Sequence, residues 1–300
     1  MKLGGQEIQI DGGFLRIARL ALDTYDSIDD PEPMLAALRE SGTRIDLFTF
    51  MQKLPDVSPK HVYPMEWDNV AALRISTFEQ WWTKQINTTA RKAVRKAERS
   101  GIVAREVPFD DELARGIWTL YNECPIRQGK RFWHYGKDLE AVRKANGTFL
   151  HQSVFIGAFL DETLVGFAKL VCDQDRRQAA FMQFLSMKRH WDKAPSRALI
   201  AQAVHSCAER QIAYLLYANF AYGKRQSDSL SYFKQLNGFR RIDLPRYFIP
   251  LTPRGRAALR LGMHRPWIDR IPESLLAQLR RARRLWYERS ALRREPISEL

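Results

Sequence analysis

The stretch that decides the fold runs from Val154 to Phe239. It opens Val154-Phe-Ile-Gly-Ala-Phe159, turns at Asp161-Glu162 and resumes Thr163-Leu-Val-Gly-Phe-Ala168. Two apolar, β-prone runs around a short polar turn predict a hairpin. A third strand is expected from Ala179 to Met187, followed by a basic loop, Lys188 to Lys193. A helix begins near Pro195, because the fixed φ of proline suits a first helical turn. A strand follows at Ile212 to Phe220, and a short helix ends in Asn237-Gly238-Phe239.

This order resembles the acyl-donor half of the GNAT acyltransferase superfamily. The resemblance implies an α/β fold with a mixed, mostly antiparallel sheet flanked by helices. It also implies a phosphorylated acyl carrier, acyl-CoA, as cosubstrate, and no metal. The superfamily's carrier loop reads Gln or Arg, two residues, Gly, one residue, then Gly or Ala. Here Arg189-His-Trp-Asp192-Lys-Ala194 keeps the Arg and the final Ala and has Asp192 in place of the central Gly. Amides at a helix start are unpaired and lie at the positive end of the dipole, so they suit pyrophosphate. Leu185, Met187, Arg189, Lys193, Ala194, Arg197 and Asn219 are the implied carrier contacts. Asp192 adds a negative charge that Lys188, Arg189, Lys193 and Arg197 offset.

The ending Tyr232-Phe-Lys-Gln-Leu-Asn-Gly-Phe239 resembles the superfamily's Phe-Tyr-x-x-x-Gly-Phe. Phe233 aligns with the Phe, and Lys234 falls where a Tyr protonates the leaving thiolate. A tyrosine donates such a proton and a lysine stabilises developing negative charge. Tyr232 and Lys234 are therefore candidate catalytic residues. Glu123, His134 and Asp228 are candidate bases for an incoming ammonium, although Asp228 also suits a helix N-cap. Tyr222 and Lys224, in the connection after Asn219, are candidate acceptor contacts.

Outward from this core, residues 1–76 predict mixed structure. Gln6 to Ile10 and Phe14 to Leu20 flank Asp11-Gly12-Gly13, a hairpin signal. Pro31 to Arg39 suits a short helix, and Arg44 to Phe50 and Val70 to Ile75 suit strands. The segment with Pro55, Pro59 and Pro64 is an irregular connection. A single long helix is expected from Thr77, which has capping-box spacing to Gln80, as far as Gly101. Ile102 to Val107 predicts a strand. Leu113, Ile117, Leu120 and Cys124 share a helix face that Pro125 ends. Ile126 to Asp138 is expected to be a loop that binds the acceptor through Arg127, His134 and Tyr135, or one that is merely packed.

The segment Ala90-Arg-Lys-Ala-Val-Arg-Lys-Ala-Glu-Arg-Ser-Gly-Ile102 and the later Tyr121-x-x-Cys-x-x-Arg127-x-Gly129 narrow the resemblance. Both are similar to the second GNAT-like unit of the FemAB-like peptidoglycan aminoacyltransferases. Membership there implies aminoacyl-tRNA as donor, a cell-wall precursor as acceptor, and a paired first unit. The expected organisation is a reduced N-terminal unit at 1–76, a GNAT-like domain at 77–250 and an Arg-rich helical tail at 251–300.

The net charge is +14 over 300 residues. Residues 251–300 hold twelve Arg against five acids, and residues 84–99 hold six basic side chains against Glu98 alone. Such clustering suits an anionic partner (a nucleotide carrier, RNA or an anionic lipid surface), or two solvated helix faces. Ser274 to Leu292 is an amphipathic basic helix, so peripheral membrane contact through 273–294 and docking on its own domain both stay open. Three scattered cysteines lack metal or CxxC spacing, the histidines form no HExxH, and the N-terminus lacks the apolar core of a signal peptide. A cytoplasmic setting is expected. The leading functional reading is transfer of an acyl group from acyl-CoA to an amine; FemAB-like aminoacyl transfer to a cell-wall precursor is the second, and a non-catalytic module that binds RNA or membrane is the third.

Overall fold

The computed structural model describes residues 1–21, 28–127, 129–173, 175–221 and 229–265, with 271, 272, 274–276, 278, 279, 281–283 and 287. Among these, the strands are β1 (Lys2–Leu3), β2 (Gln6–Asp11), β3 (Ile17–Leu20), β4 (Leu47–Met51), β5 (Met65–Arg74), β6 (Val103–Val107), β7 (Ile126–Arg127), β8 (Lys130–Arg131), β9 (Ser153–Leu160), β10 (Thr163–Cys172), β11 (Gln178–Ser186), β12 (Tyr214–Leu216) and β13 (Arg240–Pro250). The α-helices are α1 (Glu32–Glu40), α2 (Phe78–Gln80), α3 (Thr88–Arg99), α4 (Asp111–Asn122), α5 (Leu139–Asn146), α6 (Pro195–Glu209), α7 (Ser229–Leu236) and α8 (Pro253–Arg260). Most strand pairings are antiparallel, and helices flank the strands, as expected.

The chain divides into two compact units. The first comprises Met1–Ser76, Cys172–Ala180 and Arg210–Asp269, and the second Thr77–Val171, Phe181–Glu209 and Arg270–Leu300. Residues 77–250 therefore contribute to both.

In the first unit the strand order is β1-β2-β3-β4-β13-β5-β12, followed by the start of β11. The predicted hairpin is β2 and β3, with Ile8 opposite Leu20. β13 inserts between β4 and β5 and pairs antiparallel with both. Its side chains Tyr247 and Ile249 join Leu35, Phe48 and Phe50 in one core. β12 pairs in parallel with β11 through Tyr214, Leu215 and Leu216 alone, while β11 runs on to Ser186.

In the second unit β11, β10, β9 and β6 lie side by side. The β9–β10 hairpin turns at Asp161 and Glu162, with φ of 46° and 64°. These are the left-handed values that a two-residue hairpin turn demands. Gly166 is tightly enclosed: a Cβ there would meet Leu199, the Leu185 carbonyl and Ser186 at 3.2–3.3 Å.

The long helix predicted from Thr77 is in fact two. Thr77 caps the first, its Oγ1 accepting the Gln80 N–H at 3.1 Å. A wide turn at Trp81–Gln85 then ends at Ile86, whose ψ of 134° is extended. Asn87 starts a new helix by accepting the Thr89 N–H at 2.8 Å. An Asn side chain that bonds the backbone locally competes with helix continuation. The Arg91 guanidinium donates to the Thr83 and Ile86 carbonyls at 3.3 Å and so spans the break.

Candidate functional site

α4 sets one cluster. Asp110 caps it, accepting the Leu113 N–H at 2.8 Å, and its apolar face buries Leu113, Ile117 and Leu120. Glu123 follows directly. Its Oε2 accepts from the Arg127 guanidinium at 2.8 Å and from the Lys188 N–H at 2.9 Å, and its Oε1 accepts the Arg189 N–H at 3.1 Å. The Arg127 and Glu123 side chains are only 9% and 11% exposed. Burial lowers the Arg127 pKa from its ordinary value, and the Glu123 carboxylate opposes that shift. Arg127 also donates to the Ser186 carbonyl at 2.8 Å and lies over the Phe132 ring.

The segment after β11 is a tight 3₁₀ turn at Lys188–Lys193, not an open loop. The His190 N–H donates to the Met187 carbonyl, the Ala194 N–H to Trp191, and the Arg197 N–H to Ala194. Glu123 takes the first two amides, and Pro195 has none to offer. Ala194 is left-handed, at φ 56°, the turn that admits α6. Ser186 and Ser196 share a hydroxyl hydrogen bond at 2.8 Å. The expected carrier contacts in this unit are thus close in sequence and space. Met187 is buried, Leu185, Lys193, Ala194 and Arg197 are half-buried, and Arg189 is exposed. Lys188, named in the sequence only for its charge, donates its Nζ to the Ile126 carbonyl at 2.6 Å.

His134 stacks on Tyr121 with ring centroids 4.3 Å apart, and Tyr135 is 39% exposed. Burial and the nearby Lys137 charge lower the His134 pKa below its usual value. Burial pushes the Tyr121 hydroxyl up to about 12.

The first unit holds a second cluster. Lys234 is fully buried, its Nζ donating to the Asn219 carbonyl at 2.5 Å and lying 4.8 Å from the Tyr217 ring centroid. The Asn219 amide donates to Asp68 at 3.2 Å, and Asp68 pairs with Arg246 at 2.8 Å. The structure thus brings Lys234 and Asn219 together, whereas Tyr232 is 60% exposed. Tyr222, Lys224 and Asp228 lie outside the described residues.

In the tail, Leu276 is buried, while Leu275 and Leu279 are 47% and 54% exposed. Leu285 and Trp286 lie outside the described residues. Among the described residues no helix is long and apolar enough to cross a membrane.

What the sequence reading missed is the double amide contact of Glu123, which it took only for a base. The available signal was the i,i+4 spacing of Glu123 and Arg127, which suits an ion pair.

No family model matches the chain, and no curated protein matches it. Solved structures do. The C-terminal domain of a candidate lysylphosphatidylglycerol synthetase from Agrobacterium fabrum matches at TM-score 0.56 and 14% identity, over 84% of this chain and 83% of that one. A lysylphosphatidylglycerol synthetase from Bacillus licheniformis gives TM-score 0.53 and 14% identity, over 84% and 83%. FemX gives TM-score 0.52 and 11% identity, over 79% and 72%. The chain therefore has a GNAT-like fold of the FemAB-like kind, the fold it shares with these structures.

Proposed function

We propose that the chain is a transferase that moves an aminoacyl group from an RNA-borne ester to an amine or hydroxyl acceptor. The observation that carries this reading is that the amides of Lys188, Arg189, His190, Ala194 and Arg197, after β11, are already engaged. A CoA pyrophosphate held in the GNAT manner needs backbone donors at that place. Glu123 occupies the amides of Lys188 and Arg189, others turn inward on the 3₁₀ turn, and Asp192 adds negative charge. A carrier's phosphates then have to be met by side-chain cations. α3 buries Ala90, Val94 and Ala97 and exposes Lys92, Arg95, Lys96 and Arg99. The likeness to FemX and to lysylphosphatidylglycerol synthetases supports the same donor, since the FemAB-like resemblance implies aminoacyl-tRNA.

In the reaction, the acceptor attacks the ester carbonyl, the bond from that carbonyl to the ribose oxygen breaks, and the proton lost by the acceptor ends on the departing ribose hydroxyl. Lys234, which falls where the resemblance has a leaving-group Tyr, is fully buried, and its proposed role is to hold the Asn219 carbonyl in place. Glu123 already accepts three hydrogen bonds, so its proposed role is to hold Arg127 and the turn in place and not to take the acceptor's proton. The acceptor is proposed to lie at an anionic membrane surface. Supporting this, Leu275 and Leu279 are exposed beside the exposed Arg281 and Arg283.

Binding of aminoacyl-tRNA and of acetyl-CoA to the purified full chain tests the donor. The tRNA complex should form and weaken steeply with salt, as phosphate-driven binding does. Replacing Lys92, Arg95, Lys96 and Arg99 together by Ala should flatten that salt dependence. Tight CoA binding with no tRNA binding would overturn the reading in favour of acyl-CoA.

A further inference from the structure

The segment Gly129-Lys-Arg-Phe-Trp-His-Tyr-Gly-Lys-Asp138 carries a feature that the donor reading leaves unused. Trp133 is 79% exposed. This exposure belongs to a braced loop. The Phe132 N–H donates to the Pro125 carbonyl at 2.7 Å, and the Gly136 N–H to Asn122 Oδ1 at 2.8 Å. Trp118 Nε1 donates to the Lys137 carbonyl at 3.0 Å. The β7–β8 hairpin fixes the other end through Ile126 opposite Arg131.

One cation lies against the indole, and two more are exposed in the same loop. Lys137 Nζ lies 5.1 Å from the Trp133 ring centroid, and Lys130 and Arg131 are exposed. The loop contains no aliphatic side chain. A loop that enters lipid gains from aliphatic burial as well as from aromatic anchors. An indole among cations suits a flat, anionic ligand instead: a stacked base with its phosphate. The loop is also continuous with the donor strand. Phe132 lies under Arg127, and Arg127 holds the Ser186 carbonyl at the end of β11.

We propose that the loop 129–138 is a stacking platform for the unpaired 3′ nucleotides of the carrier RNA, with Trp133 as the ring on which a base lies. The proposal rests on the RNA-borne donor reading and assigns the residue that grips the reactive end. Lys130 and Arg131 meet the phosphates beside that base.

Fluorescence anisotropy with a short single-stranded RNA bearing a free 3′ end tests it on the full chain. Trp133→Ala should weaken binding about tenfold, the size expected for one lost stacking contact. Trp133→Phe, which keeps a ring, should restore most of it, and circular dichroism of both variants checks the fold. Masking the 3′ end in a duplex should reduce binding to wild type and leave Trp133→Ala unaffected. Equal RNA affinity of wild type and Trp133→Ala would overturn the platform while leaving the RNA donor standing. Loss of binding to phosphatidylglycerol vesicles in Trp133→Ala, with RNA binding unchanged, would overturn it in favour of a lipid surface. A wild-type chain that binds neither tRNA nor the short RNA would remove both the platform and the donor reading.

Discussion

Lys169 Nζ donates to the carbonyl of Asn146, the last residue of α5, at 2.8 Å. It also donates to the Thr148 carbonyl and, at 3.1 Å, to the Thr148 hydroxyl. A lysine from β10 thus satisfies carbonyls that a helix end leaves open, and its charge faces the negative end of the dipole. Lys169 is fully buried, and burial lowers its pKa to about 8. Between about 8 and the ordinary 10.5 the unfolded chain therefore binds the proton that the folded chain has released. Stability gained at this site rises with pH across that window. Chemical denaturation from pH 7.5 to 10.5 should show the rise in wild type, amounting to about 3 kcal/mol. Lys169→Met should lack it. Parallel pH profiles for the two proteins would refute the assignment.

A second pH dependence has its cause in His134. Its ring is stacked on Tyr121 and close to Phe132, and burial followed by Lys137 holds its pKa below 6.5. An imidazole that is neutral when folded and protonated when unfolded costs stability as pH falls. The contribution is present above the unfolded value and fades below it. Acidification through about pH 6 should therefore loosen the 129–138 loop before the rest of the chain. With the intrinsic pH dependence of exchange divided out, hydrogen-exchange protection at Gly136 and Tyr135 should fall in wild type and not in His134→Phe. Unchanged protection in wild type between pH 7 and 5.5 would end this account.

The sequence disclosed elements whose signals are local. The hairpin at Asp161-Glu162, the Thr77 cap and the helix after Pro195 all stand where short-range chemistry places them. It did not disclose β13, the longest strand, because Arg240-Arg-Ile-Asp-Leu-Pro-Arg lacks clean alternation and contains Pro245. A proline is out of place in a central strand. The register resolves this: β4 pairs only from Arg246 onward, and at Pro245 the strand has only to accept, its carbonyl taking the Gln52 N–H at 2.9 Å. α5 was also passed over, although Asp138 caps it by accepting the Ala141 N–H at 2.7 Å. The candidate site was legible as a region and not as a set of contacts. Glu123 meets Lys188 and Arg189 from more than sixty residues away. Such pairings follow from how α4 and β11 pack and have no signature along the chain.

Glu123 is consequently a residue whose removal should be felt in stability as well as in binding. Its carboxylate neutralises a nearly buried guanidinium and closes two amides. Glu123→Gln keeps the shape but leaves Arg127 without its counter-charge, a loss of about 3 kcal/mol. Arg127→Met in the same background should recover part of that loss, because the uncompensated charge is then gone. Urea denaturation of the two single variants and the double variant measures the coupling. Strictly additive effects would show that the pair does not act as a unit.

Gly255 provides the sharpest steric test. It sits in the first turn of α8, where Thr252 Oγ1 accepts its N–H at 3.0 Å and donates to Asp46 Oδ1 at 2.8 Å. A Cβ at this position would lie 1.9 Å from the Asp46 carbonyl oxygen, which itself accepts the Leu251 N–H at 3.0 Å. Asp46 has little room to yield. Burial raises its pKa, but hydrogen bonds from the Arg16 amide, Thr252 and Arg44 outweigh this and hold it below 3.8. In an exposed helix Gly→Ala gains up to about 1 kcal/mol. Here the sign should reverse: Gly255→Ala should cost about 2–3 kcal/mol, because helix and strand must part to admit one methyl group. The urea midpoint should fall with the m-value unchanged. A Gly255→Ala protein as stable as wild type would mean that α8 does not rest on Asp46 this closely.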